Sequence, residues 1–314
     1  MALPTAAFEH RALRYTSAAG FLGGTVPYLR EGLREGDCLL VVTTPQNRDL
    51  LCGALGGDAA AVEFADAETW YDSPARTLAA YHRYVGDRTC PPRRVRVVGE
   101  PLWPGRSSVQ LCEWTRYESL VNVALADTGA RLLCPYNAVD LDPWVLDAAA
   151  RTHPEMALDA GDPTDSERYT DPETFTAQCD ARPLSPAPPH ARELDFGHGD
   201  LAMVRAFAEV CARHAALGPA RGLDLVFATN EVATNALSHG GGRGKLLSWR
   251  TDDTLVLQVT DEGSGARGAP FPGHLPADPT TRSGHGLWAV RQLCDLLQVR
   301  LRPDGSTVRL TYCL

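Results

Sequence analysis

LDLVFATNEVATNALSHGG, residues 223–241, is the stretch on which the reading of this chain turns. At about 100° per residue, Leu225, Thr229, Val232, Ala233, Ala236 and Leu237 fall on one face of a helix, and Asp224, Glu231, Asn235 and Ser238 fall opposite. The spacing predicts a helix over Leu223 to Ser238. Glu231 and Asn235 stand at i and i+4, so their side chains project together from its polar face. A solvated face is the ordinary outcome of such a pattern, and the helix alone assigns no function.

Two later motifs change that. In VLQVTDEGSGA, residues 256–266, Asp261 ends an apolar strand and is followed by Gly263 and Gly265. Its carboxylate would emerge where the backbone is thin enough to admit a flat ring. In RSGHGLWAV, residues 282–290, Gly284 and Gly286 precede a helix, and backbone N–H groups at a helix start suit phosphate oxygens. Around these motifs the pattern predicts a strand in ELDF, residues 193–196, a helix over Asp200 to Ala216, and paired strands at Lys245 to Arg250 and Thr254 to Thr260. A helix from Gly286 to Leu297 and strands at Gln298 to Arg302 and Ser306 to Tyr312 follow. The expected architecture is an α+β sandwich with helices on one face of the sheet.

E-x-x-x-N, D-x-G-x-G and G-x-G-L, in that order, resemble the N, G1 and G2 boxes of the Bergerat (GHKL) ATPase and kinase superfamily. GSTVRLTY, residues 305–312, resembles its closing strand, and the compact stretch from Glu193 to Leu314 resembles the anti-sigma-factor serine kinase branch. The resemblance implies ATP and Mg²⁺ as cofactors. It implies Asn235 as the Mg²⁺ ligand, Glu231 as general base, and Asp261 as the reader of adenine, with Gly265 giving it room and Gly263 among the nucleotide-binding residues. Gly284, His285 and Gly286 would line the triphosphate beneath a lid over Ala266 to Ser283. His239 holds a position often filled by His in the family; a helix C-cap is the other reading. The activity implied is a protein serine/threonine kinase whose substrate is an anti-anti-sigma factor with a STAS domain and which also sequesters a sigma factor. A non-catalytic, ATP-bound anti-sigma adaptor and a domain that has lost nucleotide binding are the alternatives. Histidine autophosphorylation is not expected, because His190 and His198 sit beside Pro or Gly with no long helical hairpin before them.

Upstream, strand-like runs at Cys38 to Val42, Val95 to Gly99 and Arg131 to Pro135 alternate with helix-like stretches at Gly20 to Glu35, Asn47 to Leu55, Pro74 to Val85 and Ser108 to Ala126. That alternation predicts an α/β domain with a mostly parallel sheet. From Phe8 to Glu155, the segments FEHRALRYTSAAGFLGGTVPYL, GEPLWPGR and LLCPY resemble the MEDS domain, a sensory module of bacterial regulators. GFLGGTVPYL stands where a nucleotide-binding relative would carry a phosphate loop, but it lacks G-x-x-x-x-G-K-[ST], so nucleotide hydrolysis is not expected here. His10, Glu100, Trp103, Arg106, Glu113 and Tyr136 are candidates to line a pocket for a small-molecule ligand near the strand ends. Each also suits a structural role. Cys38, Cys112 and Cys134 are candidates for oxidant response, buried inert thiols being the commoner outcome.

Composition frames these readings. The chain has 314 residues and a formal net charge of -9, which argues against a direct nucleic-acid partner. Its 9 cysteines are scattered without a C-x-x-C pair, a pattern that suits reduced thiols better than disulfides or a zinc site. The N-terminus has charges where a signal peptide needs an apolar core, and there is no long apolar run; the expectation is a cytoplasmic protein without a membrane partner. A Pro-, Asp- and Thr-rich stretch predicts a linker at 156–191, with room for a short helix, dividing a sensory domain at 1–155 from an ATPase domain at 192–314. A homodimer is left open, since no exposed apolar stripe demonstrates one.

Overall fold

The computed structural model describes residues 7–89, 93–263, 271–275 and 285–314. By its internal contacts the chain divides into two units, Met1–Cys179 and Asp180–Leu314. Among the described residues no helix is long and apolar enough to cross a membrane.

The first unit runs β1 (Glu9–Tyr15), α1 (Ala18–Glu35), β2 (Cys38–Thr43), α2 (Pro45–Leu55), β3 (Val62–Asp66), α3 (Ala67–Trp70), α4 (Pro74–Arg88), β4 (Val95–Gly99), α5 (Ser108–Ala124), β5 (Arg131–Asn137), α6 (Pro143–Thr152), β6 (Glu155–Leu158) and β7 (Thr164–Asp165), with α7 (Pro172–Asp180) reaching the boundary. Its seven strands lie in the order β3-β2-β4-β5-β1-β6-β7, parallel except for the β6–β7 pair. β2 and β4, CLLVVT and VRVVG, are buried almost throughout, as continuous apolar runs are in sheets covered on both faces. Ser17, Thr44, Ser73 and Ser107 each accept a backbone N–H from the first turn of the helix they precede, and Ser107 with Gln110 completes a capping box.

Several elements differ from the sequence expectation. β1 is a central strand although it carries Glu9, His10, Arg11 and Arg14, because Arg11 pairs with Glu155 at 2.7 Å and Arg131 with Glu9 at 3.0 Å. GFLGGTVPYL, by contrast, lies inside α1, as the helix-like reading of Gly20 to Glu35 expects. A Cβ at Gly20 would overlap the Asp159 carboxylate, and one at Gly24 would lie 2.5 Å from Leu13 Cδ2, so these glycines let α1 settle onto β1 and the turn after β6. Asp159 accepts the Thr16 N–H at 3.0 Å, which sets a carboxylate of the chain itself just before α1.

The stretch 156–191, expected as a linker, is ordered in two parts. Met156, Ala157 and Leu158 extend β6 beside β1, and Phe175 and Cys179 of α7 are buried with Cys112. Farther on, Arg300 donates to the Arg182 carbonyl at 2.9 Å and Arg309 to the Ser185 carbonyl at 2.7 Å. Arginine donors hold backbone carbonyls here, and composition alone does not register that.

The second unit runs β8 (Arg192–Gly197), α8 (Leu201–His214), α9 (Pro219–His239), β9 (Arg243–Arg250), β10 (Thr254–Asp261), α10 (His285–Leu293), β11 (Leu296–Arg302) and β12 (Gly305–Cys313). The five strands are antiparallel throughout, in the order β11-β12-β10-β9-β8. Leu225, Val232 and Ala236 of α9 share a core with Leu257 and Val259 of β10 and Leu310 and Tyr312 of β12. The alternate positions Gln258 and Arg309 are buried as well, joined at 2.6 Å. α10 stops at Leu293, short of the expected Leu297, because Asp295 turns the chain: its carboxylate accepts the Cys313 N–H at 2.7 Å and pairs with Arg221.

Candidate functional site

α9 carries the polar pair. Its apolar face is buried in the core, and its interior hydroxyls are satisfied within the helix, Thr229 to the Leu225 carbonyl at 2.7 Å and Thr234 to the Asn230 carbonyl at 2.8 Å. Glu231 and Asn235 are left half-buried on the other face. α10 begins opposite them: a Cβ added to Gly286 would lie 3.3 Å from Glu231 Oε2 and 3.9 Å from Asn235 Nδ2. Among the described residues, none hydrogen-bonds the Glu231 carboxylate or the Asn235 amide.

Asp261 sits at the end of β10, over the C-terminal end of the same helix. A Cβ at Gly240 would lie 2.6 Å from Asp261 Cβ, and one at Gly263 would lie 2.5 Å from the Gly240 carbonyl carbon and 2.8 Å from the His239 oxygen. Gly240 is five residues beyond Asn235, about 7–8 Å along the axis by helical rise. The carboxylate is held in place by the Gly263 N–H at 3.1 Å, the Ser306 N–H at 3.3 Å and the Ser306 hydroxyl. A carboxylate has about four acceptor positions, so these donors orient it and still leave capacity for another.

Ser306, Gly240 and Gly305 were not singled out by sequence. Gly305, with φ 146, allows β12 to begin against the Asp261 carbonyl. His239 is the last residue of α9 and exposed, and His285 is the exposed first residue of α10. Gly265 and Gly284 lie outside the described residues, as does most of the expected lid. The part described, 271–275, is anchored to α10: Arg291 meets His274 Nε2 at 2.8 Å, and Gly273, with φ 66, packs against Leu287 and Trp288.

The backbone contact at Gly263 gives a direct test of this geometry. Gly263→Ala forces a methyl into main-chain atoms that no rotamer change can move, and should destabilise the second unit by about 3 kcal/mol. Urea denaturation followed by circular dichroism would show it; an unchanged midpoint would mean that the β10 end and α9 are not in such contact.

In the first unit, a cavity of about 450 Å³ opens at the C-terminal ends of the parallel strands, where Glu100 and Trp103 line it with Tyr15, Ser17 and Asn47. The Glu100 carboxylate accepts from Asn47 at 2.8 and 2.9 Å, from Tyr15 at 3.1 Å and from Thr43. Burial, then the Glu100 charge, pushes the Tyr15 phenol up. The other four candidates are elsewhere. Arg106 stacks 4.0 Å from the Trp114 ring centroid and donates to the Tyr71 carbonyl at 3.1 Å, and burial lowers its pKa to about 10. Glu113 is buried beside Arg116 at 3.4 Å. Tyr136 lies beneath Trp103 with ring centroids 5.9 Å apart, and His10 is fully buried in the sheet's interior.

Fold and site together define a chain that joins a parallel α/β unit to a Bergerat-type sandwich whose central helix, opposing glycine and strand-end carboxylate converge. Residues 9–154 match the family model of MEDS, the MEthanogen/methylotroph, DcmR Sensory domain, and residues 198–312 match that of the histidine kinase-like ATPase domain. The chain is thus a MEDS domain fused to a histidine kinase-like ATPase domain. A chain of the crystal structure of the SiaB-SiaC complex from Pseudomonas aeruginosa is similar over 38% of this chain and 88% of that one, with 9% identity and a TM-score of 0.30. Comparison with the curated proteins gives no match.

Proposed function

We propose that the second unit binds Mg-ATP and phosphorylates serine or threonine on a separate protein, in the manner of an anti-sigma-factor kinase, with the first unit as its controlling sensory domain. The observation that carries this reading is the half-buried Glu231–Asn235 pair facing Gly286, with no hydrogen-bond partner among the described residues. A bound ligand could take the place of solvent as the partner of both. Asn235 would offer its amide oxygen to Mg²⁺, a cation that takes oxygen donors and keeps waters. Asp261 would accept a hydrogen bond from the adenine amino group, its carboxylate already oriented by the Gly263 and Ser306 N–H groups. His285 and Gly286 would border the phosphates. When bound, Mg-ATP supplies the phosphoryl group and the charge neutralisation its transfer needs. Glu231 Oε2 would take the proton of the incoming hydroxyl.

The partner proposed is an anti-anti-sigma factor of STAS type as substrate, with a sigma factor as the sequestered protein. Incubation of the full chain with Mg-ATP and a panel of STAS proteins should yield phosphoserine or phosphothreonine by mass spectrometry. A tight complex without transfer would instead support the adaptor. Asp261→Asn should remove the purine preference: Mg-ATP at 100 times its wild-type Kd, which stabilises the native protein by about 2.7 kcal/mol, should no longer raise Tm. An undiminished rise in the variant would refute the adenine role of Asp261.

A further inference from the structure

His10 of β1, Glu118 of α5, Cys134 of β5 and His153, just after α6, converge in the interior of the first unit, all buried, with their ligand atoms within 4.8 Å of one another. We infer that these four side chains form a closed, four-coordinate site for a divalent transition-metal ion, with zinc the best match to the donor set. No C-x-x-C or H-x-x-x-H spacing announces it, since each ligand comes from a different element.

The spacing favours a metal over a hydrogen-bonded cluster. Cys134 Sγ lies 3.5 Å from His10 Nε2 and 3.8 Å from Glu118 Oε2, and Glu118 Oε2 lies 3.7 Å from His10 Nε2 and 3.5 Å from His153 Nε2. An O–H···N or N–H···O bond wants about 2.7–3.0 Å, so the carboxylate and imidazoles are too far apart to share protons. A tetrahedron with metal–ligand bonds of about 2.0–2.3 Å has edges of roughly 3.3–3.8 Å, the range of these four separations, and all six lie within 4.8 Å.

The surrounding groups fix both imidazoles for the task. Asn122 spends its amide nitrogen on the Ser119 and Thr152 carbonyls, at 3.1 and 2.8 Å, so its oxygen accepts from His10 Nδ1 at 3.1 Å. His153 Nδ1 sits 2.9 Å from the Ala149 carbonyl, which can only accept. Both rings therefore carry hydrogen on Nδ1 and turn a bare Nε2 lone pair inward, the arrangement that outer partners impose on metal-bound histidines. Among the described residues, His153 Nε2 has no hydrogen-bond partner, nor does Glu118 Oε1. A thiolate, a carboxylate and two neutral imidazoles balance a doubly charged ion, so the filled site buries no net charge. Four protein ligands and no open position mark a structural site, which would clamp α5 and the end of α6 onto the central strands β1 and β5.

Elemental analysis of the full chain, purified without metal-affinity resin, should find about one zinc per chain, as a single four-ligand site requires. Cys134→Ser and His153→Gln should each lower that content at least about ten-fold, and Asn122→Ala should weaken retention about 10–100-fold, while Cys313→Ser changes nothing. Loading with Co²⁺ should give the intense visible bands of tetrahedral cobalt and a thiolate charge-transfer band that Cys134→Ser removes. Should the buried-site variants fail to fold, the wild-type cobalt spectrum still decides. Weak octahedral bands, no thiolate band, metal retained by folded Cys134→Ser and His153→Gln variants, or no bound metal together with no rise in Tm on adding Zn²⁺, would each overturn the assignment.

Discussion

Glu231→Gln is expected to slow phosphoryl transfer about 10²–10⁴-fold while leaving Mg-ATP binding nearly unchanged. The substitution keeps the shape and the half-buried setting of the side chain and removes only its capacity to take a proton. That loss corresponds to about 3–5 kcal/mol of transition-state free energy. Asn235→Ala should do the reverse, abolishing the Tm rise given by Mg-ATP, because its amide is the group proposed to hold the cation. The two side chains are neighbours on α9 and both face Gly286, so a merely structural disturbance would affect binding in both variants alike. The check is a thermal-shift titration beside single-turnover transfer for each. Equal loss of binding in Glu231→Gln would mean that Glu231 helps to hold the nucleotide, and unimpaired transfer would move the base elsewhere.

The contrast between these two residues and the rest of the site shows what a sequence exposes. Glu231 and Asn235 were legible because a helix repeats, so an apolar stripe through Leu225, Val232 and Ala236 fixes what lies opposite it. Asp261 was legible because it ends an apolar strand. Ser306, which orients Asp261 through its N–H and hydroxyl, comes from β12, and only the antiparallel register that sets Asp261 beside Ser306 reveals the pairing. Gly240 stands next to the recognised histidine, but its use, admitting the end of β10, is a contact between distant segments. In the first unit the strongly apolar strands β2, β4 and β5 were evident, whereas β1 was hidden by charges whose partners, Glu155 and Arg131, lie far along the chain. Within 156–191, the ordered backbone at Arg182 and Ser185 was hidden for the same reason: its carbonyls are held by donors from β11 and β12. Four ligands on four elements are likewise invisible to any motif of fixed spacing.

The largest stability effect expected in the first unit follows from another buried charge. Arg96 Cδ and Nε would each lie 2.8 Å from a Cβ at Gly32 of α1, and the guanidinium is completely buried. It donates to Asp37 at 3.0 Å, to the Tyr28 carbonyl at 2.9 Å, to Glu31 at 2.6 Å and to Glu35 at 2.9 Å, with the Tyr28 ring centroid 4.8 Å away. The Arg96 hydrogen bond holds the Glu31 carboxyl below its usual value. Glu31 and Glu35 are 47% and 41% exposed and can turn to water, but the Asp37 side chain, 2% exposed, cannot. Arg96→Met should therefore cost about 3–5 kcal/mol, chiefly by stranding Asp37. For a unit of this size that is a fall of roughly 6–20 °C in Tm. Arg96→Lys should recover only part of it, since a single ammonium cannot reproduce the fork that reaches Asp37, Glu31 and Glu35 at once. If the cost lies in the stranded charge, Asp37→Asn should be milder in the Arg96→Met background than in the wild type. Differential scanning calorimetry of the four variants closes the cycle, and additive losses would show that the two side chains do not depend on each other.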